Sequence, residues 1–169
     1  DIRFGLLALK NVGRNLIATV VRERSGTPYR SLYDFCKRLH GTEINRRAVE
    51  SMIKSGAFDN LEAKRRSMMD GVEGILKSVE SEARRNLDGQ IDLFGALDGE
   101  QESGRNVYKL PDSGEEYPYD ILLQMEKEVS GLYLSGHPLD HYRPVIEEVS
   151  TCRISELVGE NAHAYDEQN

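Results

Sequence analysis

At 169 residues, of which 38% are hydrophobic and 30% charged, the chain is long enough for a self-sufficient core but too polar for one compact body of that size, so a folded part with solvated parts is expected. No apolar run approaches the roughly 20 residues of a membrane span and no stretch resembles a secretory leader, which excludes a membrane partner and points to a soluble, cytoplasmic protein. The net charge of −7 is divided unevenly: residues 1–70 hold 14 Lys/Arg against 8 Asp/Glu, and residues 71–169 hold 8 against 21. A basic half suits a polyanionic partner, while a chance difference between two solvated faces stands as the even alternative.

In chain order, "FGLLALKNVG" predicts a short helix carrying Leu6, Leu7 and Leu9, then a turn at Asn11-Val12-Gly13. "RNLIATVVRER" follows with Leu16, Ile17, Val20 and Val21 at helical spacing. Ser25-Gly26-Thr27-Pro28 interrupts the chain, and Ser31 is placed to cap a helix bearing Leu32, Phe35, Cys36 and Leu39, with Cys36 facing the core. Asn45 is placed to cap "RRAVESMIKSG", whose Val49, Met52 and Ile53 form a stripe ending at Gly56, a left-handed terminator. A long amphipathic helix is predicted from about Leu61 to Arg85, with Met68, Val72, Ile75, Leu76 and Val79 on one side. Helix, glycine-containing turn and helix thus occur twice, around Gly13 and around Gly56.

Periodicity lapses over 88–118, a stretch rich in Gly, Asp, Glu and Ser that reads as a flexible linker, with Leu93 and Phe94 of "GQIDLFG" among its most apolar residues. These two side chains are either core or bait for a partner. Helical order is predicted to return at "YDILLQMEKEVSGLYL", where Ile121, Leu122, Met125, Val129 and Leu132 share a face. Gly136-His137-Pro138 then turns the chain ahead of another helix running from Pro138 toward Glu148. Strand-like alternation is absent, so the fold expected is all-α: a tandem helix-hairpin-helix domain over 1–87, a linker over 88–118 and a helical segment over 119–169.

A hairpin between helices offers turn N–H groups and the positive end of the second helix to a phosphate oxygen, and it grips a nucleic-acid backbone without reading sequence. The candidates at the first hairpin are Lys10, Val12, Gly13 and Arg14. Around the second, Arg46, Arg47, Lys54, Lys64, Arg65 and Arg66 supply positive charge. An ordinary glycine-capped helical hairpin is the competing explanation for either one alone. His137 and His141 are four apart, but a helix starting near Pro138 leaves His137 outside it, so His137 is expected to brace the turn and no metal site is predicted. Cys36 and Cys152 lie too far apart in sequence to suggest a zinc site or a disulfide framework. No nucleophile signature or phosphate loop is present, and Glu126, Glu128, Glu147 and Glu148 read as solvated helix faces, so no catalytic residue is assigned.

Four strings in order, "FGLLALKNVG", "NRRAVESMIKSGAFD" followed by "KRR", "GQIDLFG" and "MEKEVSGLYLSGHPLDHY", closely resemble the α subunit of bacterial replicative DNA polymerase III, from about Ile2 to about Val158. The resemblance implies a segment beyond the catalytic palm and fingers: a tandem helix-hairpin-helix domain on duplex DNA behind the active site, a sliding-clamp-binding peptide, and an approach to an oligonucleotide-binding barrel that is missing here. Carried over to this chain, it adds Ser55, Gly56 and Ala57 as the second hairpin and assigns Gln90, Ile91, Asp92, Leu93 and Phe94 as the clamp peptide. The partners it implies are double-stranded DNA, the sliding clamp (β subunit) and, through the missing parts, other replisome subunits. No cofactor is expected in this segment beyond a monovalent cation that the hairpins permit, and Mg2+ belongs to the missing palm. The parent would be a DNA-directed DNA polymerase, a nucleotidyltransferase, and the segment alone would be inert. The start at Asp1 fits an excised piece, and the SGHPL string is expected to act as a joint. The competing functions are a stand-alone helix-hairpin-helix accessory protein of repair or recombination, and a helical protein-interaction module.

Overall fold

A computed structural model of the chain describes residues 5–61, 63–87 and 108–152. Among these residues the structure is all-α, with six helices: α1 (Arg14–Gly26), α2 (Leu32–Arg38), α3 (Arg46–Lys54), α4 (Arg65–Leu87), α5 (Tyr119–Ser130) and α6 (Arg143–Val149). Single 3-10 turns occupy Leu6–Ala8 and Asp140–Tyr142. The chain divides into two compact units, Asp1–Leu134 and Ser135–Asn169. The first contains helix-hairpin-helix-like units in tandem.

Its core is assembled from the stripes that periodicity identifies. Leu16 and Val20 of α1, Leu32, Phe35 and Cys36 of α2, and Val49, Met52 and Ile53 of α3 are buried together with Met68, Val72, Ile75 and Val79 of α4. Each such side chain contributes roughly 1.5–3 kcal/mol on leaving water, so the shared burial of these stripes, more than helix propensity, holds helices as short as the seven-residue α2. Phe35 meets Tyr29 and Phe58 edge to face, with ring centroids 5.0 and 4.9 Å apart. Burial pushes the Cys36 thiol up to about 12. The expected caps are present: Ser31 Oγ accepts the Asp34 N–H and Asn45 Oδ1 accepts the Ala48 N–H, both at 3.0 Å.

Several local expectations are corrected. The helix expected at Leu6 to Leu9 is a single 3-10 turn, Leu6–Ala8; Leu9 is buried while Leu7 is 47% exposed, and the Lys10 N–H is taken by the Val129 carbonyl of α5 at 2.9 Å. The left-handed residue of the first turn is Asn11, with φ 63°, whose side chain donates to Ser51 Oγ at 3.2 Å. Asparagine tolerates that region better than other residues with a Cβ. Gly13 instead is extended, with φ −86°, and forms the N-cap of α1. Gly56 is left-handed, with φ 79°, as the sequence predicts. Helix α4 begins at Arg65, later than expected, since residues 55–60 are turns and the Leu61 N–H is taken by the Phe58 carbonyl.

The stretch read as a linker falls partly outside the described residues, at 88–107. Its remainder packs against α4: Tyr108 lies over Gly74 and Leu110 over Gly71, where an added Cβ would stand 2.6 Å from Leu110 Cδ2. Those two glycines form a notch that only a side-chain-free helix surface provides. Helix α5 then closes the first unit, with Leu123 and Val129 buried, and ends at Gly131, with φ 80°. In the second unit, His137 Nδ1 accepts the Leu139 N–H at 3.2 Å and Asp140 accepts the His137 N–H at 2.6 Å. His137 therefore braces its turn, and the helix predicted from Pro138 starts as a 3-10 turn before α6. Among the described residues no helix is long and apolar enough to cross a membrane.

Glu126, read from sequence as part of a solvated face, is fully buried, at 0% exposure. It lies on the Leu122-Met125-Val129 side of α5 and meets the Arg65 guanidinium, 5% exposed, at 3.2 Å. Breaking a buried ion pair strands its partner charge, so Glu126→Ala is expected to cost about 3 kcal/mol. Urea denaturation of the variant and the parent measures this; a loss below about 0.5 kcal/mol, the level of an ordinary surface substitution, would show that the pair does not stabilise the unit.

Candidate nucleic-acid interface

The N-terminal end of a helix carries unbonded N–H groups and partial positive charge unless something caps it. In the first unit, α2 and α3 are capped by Ser31 and Asn45, and α4 by the Glu116 carboxylate, which accepts the Arg65 N–H at 2.6 Å and the Arg66 N–H at 3.0 Å. Helix α1 differs. Its N-cap is Gly13, which has no side chain to accept, and its first turn holds no acidic residue. Among the described residues no hydrogen bond uses the N–H groups of Arg14, Asn15 or Leu16. Val12 is buried and roots the turn in the core.

The exposed cations Lys10 and Arg14 flank this open end, and no ion pair among the described residues engages either of them. The neighbouring carboxylate is Glu43, which accepts the Asn15 side-chain N–H at 2.8 Å and lies 3.7 Å from where a Cβ on Gly13 would stand. A depression lined by Asn11, Asn45, Arg46 and Arg47 joins the first turn to the start of α3. Arg47 there is exposed and outside any such ion pair, whereas Arg46 is held by Glu50 at 2.6 Å and Glu73 at 2.9 Å. The fold thus brings Lys10, Val12, Gly13 and Arg14 together with Arg46 and Arg47.

The other expected contacts form a second group, and their polar atoms are already used. The N–H groups of Ser55, Gly56 and Ala57 donate to the carbonyls of Ser51, Ile53 and Met52. Lys54 pairs with Glu128 of α5 at 2.7 Å, and Lys64 donates to the Gly114 carbonyl at 2.6 Å. Arg66 donates to the Glu115 carbonyl at 2.9 Å and lies over the Tyr117 ring. Arg65 is buried, and its guanidinium is divided between Asp59, Glu126 and the Lys54 carbonyl. The clamp peptide, residues 90–94, lies outside the described residues.

Sequence reasoning passed over Glu116 and Asp59, misread Glu126 as solvated and gave Asn11 no role beyond its place in the turn. Helical phase was a usable signal for Glu126, because it falls on the apolar side of α5. Glu116 had none, since the α4 N–H groups that it caps are 50 and 51 residues away. Partial burial raises the Glu116 pKa, but N–H donors from Tyr117, Arg66 and Arg65, with the Arg65 charge, outweigh it and hold the carboxyl below the usual range. A carboxylate whose pKa is depressed by folding stabilises the fold above its unfolded pKa and loses that contribution as pH falls through the folded one. Glu116→Gln is therefore expected to melt below the parent at neutral pH and to converge with it in acid. Thermal melts by circular dichroism across that range measure this; a gap that stays constant with pH would contradict the assignment.

Comparison with known proteins agrees with this architecture. A family model described as "Helix-hairpin-helix motif" matches residues 1–68. DNA polymerase III subunit alpha of Xylella fastidiosa (strain Temecula1) is 40% identical over 157 residues, covering 91% of this chain and 13% of that protein. The Saccharopolyspora erythraea counterpart is 39% identical over 172 residues, covering 99% of this chain and 14% of its own length. That of Escherichia coli (strain K12) is 36% identical over 148 residues, covering 87% and 12%. The chain spans about an eighth of these relatives. Over most of its length the chain is therefore homologous to DNA polymerase III α subunits, and its first 68 residues carry the helix-hairpin-helix motif.

Proposed function

We propose that this chain is the duplex-gripping and clamp-tethering part of a replicative DNA polymerase α subunit, acting behind the polymerase active site and catalytically inert by itself. The observation that carries the reading is the open N-terminal end of α1 on a helix-hairpin-helix scaffold, flanked by Lys10 and Arg14, which no ion pair among the described residues engages. Backbone N–H groups and a partial positive charge suit a phosphate oxygen and distinguish no base, so the grip is sequence-independent. Homology to polymerase subunits makes duplex DNA the polyanion to test first.

Tethering rests on sequence: Gln90, Ile91, Asp92, Leu93 and Phe94 present two large apolar side chains for a pocket on the sliding clamp, with Gln90 setting register. A moderate clamp affinity combined with a moderate DNA grip keeps an enzyme on its template by raising effective concentration.

Two experiments test the two halves. Replacing Lys10 and Arg14 by glutamine is expected to weaken binding to duplexes of different sequence alike and to reduce the logarithmic salt slope by about one for each phosphate that is no longer neutralised. Absence of salt-dependent duplex binding in the parent chain would defeat the DNA reading and favour a protein-interaction module. Replacing Leu93 and Phe94 by alanine is expected to abolish clamp binding in a pull-down while helix content and duplex affinity stay unchanged. Loss of helix content in that variant would instead make these residues core.

A further inference from the structure

We infer that the two hairpins have divided their work: only the first takes nucleic acid, and the second is a closed joint whose phosphate-binding positions are filled from within the chain, its turn N–H groups by α3 carbonyls and its helix start and cations mainly by residues 114–128. The inference rests on the duplex-binding reading for the first hairpin, but its argument for the second is independent of it.

What a helix-hairpin-helix offers a phosphate is turn N–H groups, the open start of the following helix, and nearby cations. At the second hairpin each of these is occupied from within the chain. The turn N–H groups of Ser55, Gly56 and Ala57 close onto carbonyls of α3. The start of α4 is covered by Glu116, whose carboxylate accepts the N–H groups of Arg65, Arg66 and Tyr117 at 2.6, 3.0 and 2.8 Å, as a bound oxyanion would. The cations Lys54, Lys64 and Arg66 are taken by Glu128, the Gly114 carbonyl and the Glu115 carbonyl. Arg65 is buried against Glu126.

Magnitude decides whether a duplex could open this joint. The exposed Lys54–Glu128 pair is worth at most about 1 kcal/mol and could exchange. The buried Arg65–Glu126 pair could not, because parting it strands two charges inside the protein. A phosphate approaching α4 would also meet the carboxylates of Glu116 and Glu128 before any free donor. At the first hairpin the neighbouring carboxylate, Glu43, accepts from the Asn15 side chain and, among the described residues, not from the N–H groups of α1, and Lys10, Arg14 and Arg47 are outside any ion pair among those residues. Glu116 is accordingly a positioning residue, which fixes segment 114–128 on the second hairpin and leaves α1 as the face presented to DNA.

The test measures duplex affinity against salt for the parent, Lys10→Gln/Arg14→Gln and Lys64→Gln/Arg66→Gln, together with amide hydrogen exchange at Arg65 and Arg66 in the parent and in Glu116→Gln. The first pair is expected to lower the salt slope by about two, and the second to change it by less than about half a unit. The Arg65 and Arg66 amides are expected to exchange slowly in the parent, with or without duplex, and at least tenfold faster in Glu116→Gln, whose duplex affinity stays within twofold. An equal loss of slope in both pairs would overturn the division of work. Tighter duplex binding by Glu116→Gln would also overturn it, by showing that the segment is a displaceable competitor and not a joint. If the parent binds no duplex, the reading of the first hairpin fails, and exchange alone then decides the joint: fast exchange at Arg65 and Arg66 in the parent refutes it, and slow exchange released by Glu116→Gln upholds it.

Discussion

The Arg65 guanidinium is the interaction on which the first unit depends. A buried cation is costly unless every donor is matched, and an arginine has five N–H donors in a rigid fork. Here Asp59 takes two of them side by side, Glu126 accepts from both terminal nitrogens and the Lys54 carbonyl takes the fifth. The other oxygen of Glu126 accepts the Leu134 N–H at 2.8 Å. One residue at the start of α4 therefore ties the end of α3, the turn beyond Gly56, the middle of α5 and the close of the unit into a single network. The guanidinium also lies where a side chain on Gly56 would stand, so the left-handed turn and the buried charge depend on each other.

That network sets the difference between the two hairpins. Both share the helix, turn and helix pattern, and both are bordered by basic residues. Around Gly56 the second half of the chain folds back: Glu126 and Glu128 pair with Arg65 and Lys54, Glu116 takes the N–H groups that open α4, and the Gly114 and Glu115 carbonyls take Lys64 and Arg66. Around Gly13, α5 supplies the Val129 carbonyl to the Lys10 backbone N–H, and no carboxylate of the described residues pairs with the exposed Lys10 and Arg14 side chains. The overall charge asymmetry of the sequence therefore has two outcomes, internal neutralisation at one turn and an exposed positive face at the other.

Much of the architecture was legible because it depends on local physics. Ser31 and Asn45 cap the helices they precede, Gly56 ends α3 in the left-handed region, and the stripes on α1 to α4 face one core apart from Val21, which is exposed. These follow from backbone geometry and apolar periodicity within a few residues. The misreadings share another cause. The leading residues form one 3-10 turn and not a helix, because the Ser51 hydroxyl and the α5 carbonyl hold Asn11 and Lys10 from elsewhere. Glu126 is buried although carboxylates are seldom buried without a partner, and its partner is 61 residues away.

The sequence by itself determined the helical class, the caps, the two turns and the pool of candidate cations, since each is a property of residue type at short spacing. Tertiary structure alone decided which of those cations are available. Availability depends on which carboxylate or carbonyl reaches them, and for Lys54, Lys64, Arg65 and Arg66 that partner comes from about 50 residues or more along the chain. Charge and spacing mark a residue as able to bind phosphate; only the packing of α5 and the segment before it shows whether that capacity is already used.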